Sequence, residues 1–267
     1  MEIFQAVILG IIEGLTEFLP ISSTGHLIVA ADVMNYKDTA EIFTVVVQMG
    51  AIAAVIWYYR KDLISKIAGL FKQDPVAVRF ILNWVIATIP AGLAGFLLKD
   101  QLSTYAVATT VGFALIAGGI AIWLIERFNS APNPPKSGNR LELMPRKQAM
   151  LVGLYQMFAL IPGVSRSGAT IMGGLLSGMD RVTATAFSFY LSIPIILLAG
   201  SYQLISGRNE FDTVAGGGWA LAAGVATAFI TALFAISWLL KYVSKHDFKS
   251  FAYYRIIAGI IVLLVVA

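Results

Sequence analysis

Six apolar runs limit what this chain of 267 residues can fold into. At 42–59, 80–98, 106–125, 184–205, 218–240 and 251–267 the sequence stays apolar for about the 17–25 residues that a bilayer crossing needs. Hydrophobic residues make up 58% of the chain and charged ones only 13%, against about a quarter charged in soluble domains, and the charges gather between the runs. That pattern excludes a soluble globular domain and argues for a polytopic membrane protein. Two further apolar segments, 5–19 and 148–161, are too short to cross. Each runs into a proline, Pro20 or Pro162, and then into a cluster of Ser, Thr and Gly. Short broken segments of this kind read as re-entrant helix-loop-helix hairpins. The expected fold is all-α, with six transmembrane helices and two hairpins, at 5–31 and 148–180.

Lys and Arg set the expected orientation. Loops 60–79 and 127–147 hold five each and 241–255 holds four, whereas the intervening loops hold one each: Lys37, Lys99 and Arg208. The basic loops are expected on the cytoplasmic side, which puts both termini outside. The net charge of +4 therefore belongs to topology and does not call for nucleic acid. With no cysteine, disulfides and thiolate sites are excluded. Glu2 and the lack of a basic leading region argue against a cleaved signal peptide. Arg255, about a turn inside the last run, reads as a snorkelling side chain. Gln48, Gln156 and Asn83 read as helix–helix hydrogen-bonding groups. The Pro-rich stretch SAPNPPKSGNR, 130–140, divides the chain into 1–126, a linker at 127–147, and 148–267.

The two parts resemble each other. A shift of 143 residues aligns QAVILGIIEG (5–14) with QAMLVGLYQM (148–157) and pairs Glu13 with Gln156, Ser22 with Ser165, Thr24 with Ser167 and Gly25 with Gly168. One hairpin and three spans per repeat is an odd number of crossings, so the second repeat is expected to enter upside down. The hairpin tips, EGLTEFLPISSTGH (13–26) and PGVSRSGAT (162–170), would then meet near the membrane midplane.

Those tips carry the chemistry. Glu13 and Glu17 stand i, i+4 on one helix face, where each charge costs about 2.5–3.5 kcal/mol in a membrane. A hard divalent cation, Mg²⁺ or Ca²⁺, explains keeping both; an ionised pair facing a wet vestibule is the plainer alternative. In PGVSRSGAT, Ser165, Arg166, Ser167, Gly168 and Thr170 lead into a helix expected from Ile171, whose free N–H groups suit an anion. Arg166 adds a fork of donors for phosphate oxygens. Ser23 and His26 can share one turn as a nucleophile–base pair, although a histidine that merely braces the hairpin is also common. Together these groups point to phosphate-ester or diphosphate handling inside a membrane. A carrier with the same repeat architecture remains the competing class.

The residues also resemble those of a known family, the undecaprenyl-diphosphate phosphatases or bacitracin-resistance proteins. The family's glutamate motif stands here as EGLTE, its serine–arginine motif as PGVSRSGAT, and SSTGH adjoins the first. The resemblance implies a metal-dependent phosphatase of the bacterial plasma membrane that removes the terminal phosphate of undecaprenyl diphosphate on the outer side. It recycles the carrier lipid for peptidoglycan synthesis and confers resistance to bacitracin, which competes for that lipid. It further implies that Glu13 and Glu17 serve the cation, that Arg166 holds the diphosphate with Ser165, Ser167, Gly168 and Thr170 around it, and that Ser23 and His26 are candidates for the attacking hydroxyl and its proton partner. A metal-bound water is the other candidate nucleophile, and a homodimer is left open.

Overall fold

The computed structural model of the protein describes residues 2–36, 41–105, 107–129 and 140–265. They form eleven α-helices and three short 3₁₀ turns, with no strand among the described residues. The helices are α1 (Glu2–Thr16), α2 (Ser23–Val33), α3 (Ile42–Tyr58), α4 (Arg60–Phe71), α5 (Pro75–Ser103), α6 (Ala108–Phe128), α7 (Arg146–Gln156), α8 (Arg166–Leu176), α9 (Arg181–Ser206), α10 (Gly217–Val243) and α11 (Lys249–Val265). By length and composition α5, α6, α9 and α10 can cross a bilayer, and α3 with α4, bent by 72°, makes a fifth if the pair is one span. This is a multi-pass membrane protein. The last apolar run is carried by α11, 17 residues long.

Local boundaries differ from the sequence reading in three places. Residues 60–79, read as a loop, are mostly α4, whose Leu63 is buried while Ile64, Ile67 and Phe71 stay exposed. The helix expected from Ile171 starts at Arg166, because Ser165 caps it by accepting the Gly168 amide at 3.1 Å. The hairpin prolines end nothing: α1 stops at Thr16, and α7 gives way to a 3₁₀ turn at Met157–Leu160. The Pro-rich linker lies outside the described residues from 130 to 139.

Two of the short helices pack along long helices distant in sequence. α1 packs along α10, and α7 along α5. Gly10 and Gly14 let α1 touch the backbone of α10 at Gly224 and Ala228, and a Cβ on Gly153 of α7 would lie 2.6 Å from the Ala87 carbonyl of α5. Shifting Gly10 by 143 residues gives Gly153, so the two close approaches correspond. In the same way α2 at 23–33 maps onto α8 at 166–176. α6 and α11 pack on each other, as do α3 and α9. Close backbone approach through small residues is how helices associate where lipid removes the hydrophobic drive.

A side chain at Gly14 would strike the Thr231 hydroxyl and the backbone of α10 at Ala228 and Ala232. Gly14→Leu is expected to cost about 1–3 kcal/mol by overpacking, read as a lower unfolding midpoint in detergent, whereas Gly218→Leu, where a Cβ meets nothing within 4 Å, should leave the midpoint unchanged.

Candidate active site at two helix N-termini

Two serines anchor the site. Ser22 and Ser165 cap α2 and α8, and both hold positive φ, 71° and 73°. Non-glycine residues rarely adopt such angles, at a cost of about 1–3 kcal/mol each. Ser22 Oγ accepts the Gly25 amide at 3.4 Å, as Ser165 Oγ accepts that of Gly168. The first residues of both helices then face one cavity of about 230 Å³, lined by Ser22, Ser23 and Thr24 on one side and Ser165 and Arg166 on the other. Two positive dipole ends and their free N–H groups converge there.

Glu17 stands between them. Its Oε1 accepts a hydrogen bond from Arg166 Nη2 at 2.9 Å, and its Oε2 accepts one from Ser23 Oγ. Arg166 Nη1 donates to the Ser188 carbonyl of α9 at 3.0 Å, and its Nε is buried without a partner. Of the five N–H donors on a guanidinium, these contacts leave several for a ligand. Glu13 lies one turn before Glu17, only 1% exposed, near enough to interact with both Glu17 and Arg166. Its Oε1 has no partner.

The remaining expected residues divide into those that line the cavity and those that brace it. Ser167, fully buried, donates to the Leu19 carbonyl at 2.7 Å and so joins the two tips. Thr170 Oγ1 lies 2.7 Å from Ser188 Oγ and 2.9 Å from the Arg166 carbonyl. Neither hydroxyl is presented to the cavity, and Gly168 serves through its amide in the cap. Ser23 and His26 share the first turns of α2 without a mutual hydrogen bond. The Nδ1–H of His26 donates to the Ser22 carbonyl at 2.7 Å, and its Nε2 accepts from the Tyr254 hydroxyl at 2.6 Å. The partner of Ser23 is Glu17.

A divalent cation is testable against these residues. Among the described residues no three His, Cys, Asp or Glu side chains converge as a metal cage. Glu13 Oε1 is a spare buried carboxylate oxygen, the donor type that hard cations take, one turn from Glu17, whose own oxygens are engaged by Arg166 and Ser23.

Arg255 overturns its expected role. It does not snorkel: it is fully buried, and its guanidinium donates to five carbonyls. They belong to Ala114 and Leu115 of α6, at 3.2 and 3.3 Å, to Pro20 of the first tip at 3.1 Å, and to Gly163 and Val164 of the second at 3.0 and 2.9 Å. Gly118 makes the room, since a Cβ there would strike the guanidinium. Gln48 and Gln156 line the cavity; Gln156 Oε1 is buried and unpartnered, but its Nε2 donates across helices to the Ala87 carbonyl at 3.5 Å, as Asn83 donates to the Met144 carbonyl at 2.8 Å. The one sequence signal for Arg255 was a charge inside an apolar run, which by default marks a functional position.

The fold and the site together define an integral membrane protein with a charged cavity enclosed by the N-termini of two short helices. The chain belongs to the bacitracin resistance protein BacA family, whose profile matches residues 6–261. It is 48% identical over 266 residues to undecaprenyl-diphosphatase 1 of Burkholderia cenocepacia (strain HI2424), covering 98% of this chain and 95% of that one. Over 267 residues it is 47% identical to undecaprenyl-diphosphatase of Methylobacillus flagellatus, with 98% and 97% covered. The corresponding protein of Dechloromonas aromatica is 43% identical over 263 residues, with 98% and 93% covered.

Removing the five-carbonyl clamp should be costly. Arg255→Met is expected to destabilise the protein by more than about 3 kcal/mol, since several buried carbonyls lose their donor together. Arg255→Lys, with three donors, should recover part of the loss in detergent unfolding midpoints.

Proposed function

We propose that the protein is an integral membrane phosphatase that hydrolyses undecaprenyl diphosphate to undecaprenyl phosphate and inorganic phosphate, recycling the carrier lipid for peptidoglycan synthesis and conferring resistance to bacitracin. The single observation that carries this reading is the Arg166–Glu17–Ser23 relay at the wall of a cavity fed by two helix N-termini. Membership of the BacA family and the names of its relatives supply the substrate.

Each group has a task in phosphoryl transfer. The helix N-termini, Ser165 and the spare donors of Arg166 receive the diphosphate and stabilise charge as it develops on the transferred group. A cation held by Glu13 and Glu17, when bound, neutralises phosphate charge as a Lewis acid. Ser23 Oγ faces the cavity with its proton already directed at a carboxylate, which supports Ser23 and Glu17, rather than Ser23 and His26, as the nucleophile–base pair. His26 then holds the strained Ser22 turn through its carbonyl.

The architecture we propose around this centre is an inverted-topology repeat, 1–126 and 148–267 about a cytoplasmic linker at 127–147, with six spans and two re-entrant hairpins. Support comes from the 143-residue correspondence of the two serine caps and of the Gly10 and Gly153 packing sites. The loop charge bias supports both termini outside and a cavity open to the outer face of the plasma membrane, where bacitracin competes for the same lipid.

Arg166→Ala and Ser23→Ala are each expected to lower phosphate release from undecaprenyl diphosphate in detergent by at least about 10²–10³-fold, the scale of losing one charge-stabilising group, while His26→Ala should fall less. Full activity in Arg166→Ala would break the assignment. A carrier would instead bind the lipid and release no phosphate.

A further inference from the structure

Helix α4 has three faces. Leu63 and Lys66 are buried, with Asp62 and Gly69 half-buried beside them, and this face is fastened to the fold. The Tyr190 hydroxyl of α9 donates to Asp62 Oδ2 at 2.6 Å, and Lys66 Nζ pairs with Glu142 ahead of α7. A Cβ on Gly69 would lie 2.7 Å from that of Ala77 in α5. The second face is apolar and uncovered. Ile64, Ile67, Ala68 and Phe71 follow the i, i+3, i+4, i+7 spacing of one helix stripe, all exposed, Phe71 by 82%. Lys61, Ser65 and Lys72 form the third face, an exposed row along one edge of that stripe, and Arg60 is exposed at the helix start. Among the described residues neither Lys61 nor Lys72 is paired with a carboxylate.

The bend before α4 fixes where these faces lie. α3 has 17 residues, about 25 Å at 1.5 Å per residue, close to the bilayer core of about 30 Å. It ends in Trp57 and Tyr58, followed by Tyr59 and Arg60, the residue types that gather at a membrane surface. Arg60 turns back there: its Nη1 donates to the Trp57 carbonyl at 2.7 Å, and its guanidinium lies 4.4 Å from the centre of that indole. From this point α4 departs at 72° to α3. Four of its twelve residues are charged, a costly set for the hydrocarbon core. Its bare apolar stripe is equally unsuited to water.

We propose that α4 is an interfacial helix that lies along the bilayer surface and seats an anionic phospholipid, its acyl chains against Ile64, Ile67 and Phe71 and its phosphate at Arg60, Lys61 and Lys72. The inference does not depend on the phosphatase reading. Charge complementarity selects the occupant. Two unpaired ammonium groups and a guanidinium border an apolar stripe, which matches an acidic head carried on acyl chains. A zwitterionic lipid satisfies only the stripe, and a free phosphate ion only the basic edge. Because the buried face is tied to α5, α9 and the turn before α7, the seat is held at a fixed place in the fold.

The chain has no cysteine, so Ile67→Cys in the full-length protein carries a single bimane fluorophore. In vesicles mixing phosphatidylcholine and phosphatidylglycerol, its quenching is to be measured with a nitroxide placed shallow or deep in the acyl chain of either lipid. Shallow nitroxides should quench more than deep ones. Those on phosphatidylglycerol should quench as if locally enriched by about fivefold over phosphatidylcholine, the scale of one basic residue at an anionic surface. The preference should vanish when Lys61→Gln and Lys72→Gln are added, and should survive inorganic phosphate at constant ionic strength. Phe71→Cys, one turn on, should behave as Ile67→Cys does, whereas Ile230→Cys, half exposed on α10, should show no preference between the lipids. Stronger quenching by deep nitroxides overturns the proposal, since α4 would then enter the core. So does the absence of lipid quenching, whether a second copy of the chain or water covers the stripe. Equal quenching by both lipids, a preference that outlasts the lysine substitutions, or its loss to inorganic phosphate each removes the anionic lipid from the seat.

Discussion

The ion pair between Glu17 and Arg166 is the contact on which the centre of the molecule depends. Its two side chains are 6% and 12% exposed, so neither charge is solvated by bulk water. Each is instead satisfied by hydrogen bonds: Glu17 accepts from Arg166 and Ser23, and Arg166 also donates to Ser188. Breaking such a pair by removing one partner costs about 3–5 kcal/mol because a buried charge is left alone. The pair draws the segment after α1, the start of α8 and the first third of α9 to one point. That brings the N-termini of α2 and α8 to a common cavity.

Two buried arginines divide the work. Arg166 faces a carboxylate and leaves donors unused at the cavity wall, which suits a residue that receives an anion. Arg255 is saturated by five neutral carbonyls drawn from α6 and from both tips. Its contacts hold the turn carbonyls of Pro20, Gly163 and Val164 on the far side of the tips. In this geometry the first arginine keeps donors in reserve at the cavity and the second holds the backbone of both tips.

Much of this was legible from residue types. Helical class followed from run length, and the pairing of Ser22 with Ser165 followed from spacing; both serines turn out to cap helices with the same backbone angles. Arg166 and Glu17 were found because charges in apolar surroundings need partners. What sequence could not supply was direction. Nothing in PISSTGH says that Ser23 turns to Glu17 while His26 turns to Tyr254, 228 residues away. Ser167 and Thr170 look like phosphate ligands by type, but in the fold their hydroxyls face Leu19 and Ser188. Arg255 was misread because its acceptors are main-chain carbonyls, which leave no trace in residue identity. Helix α4 was missed for a simpler reason: its charges masked an apolar face at helical spacing.

The packing of α1 on α10 bears on how the molecule is made. α1 leaves the ribosome well before α10, yet the groove that receives Gly10 and Gly14 belongs to α10, synthesised more than two hundred residues later. Until then Glu13 and the segment that follows α1 lack the packing surface they have in the finished fold. Contacts this far apart in sequence close late, and a chain truncated before α10 would lack the groove that receives α1.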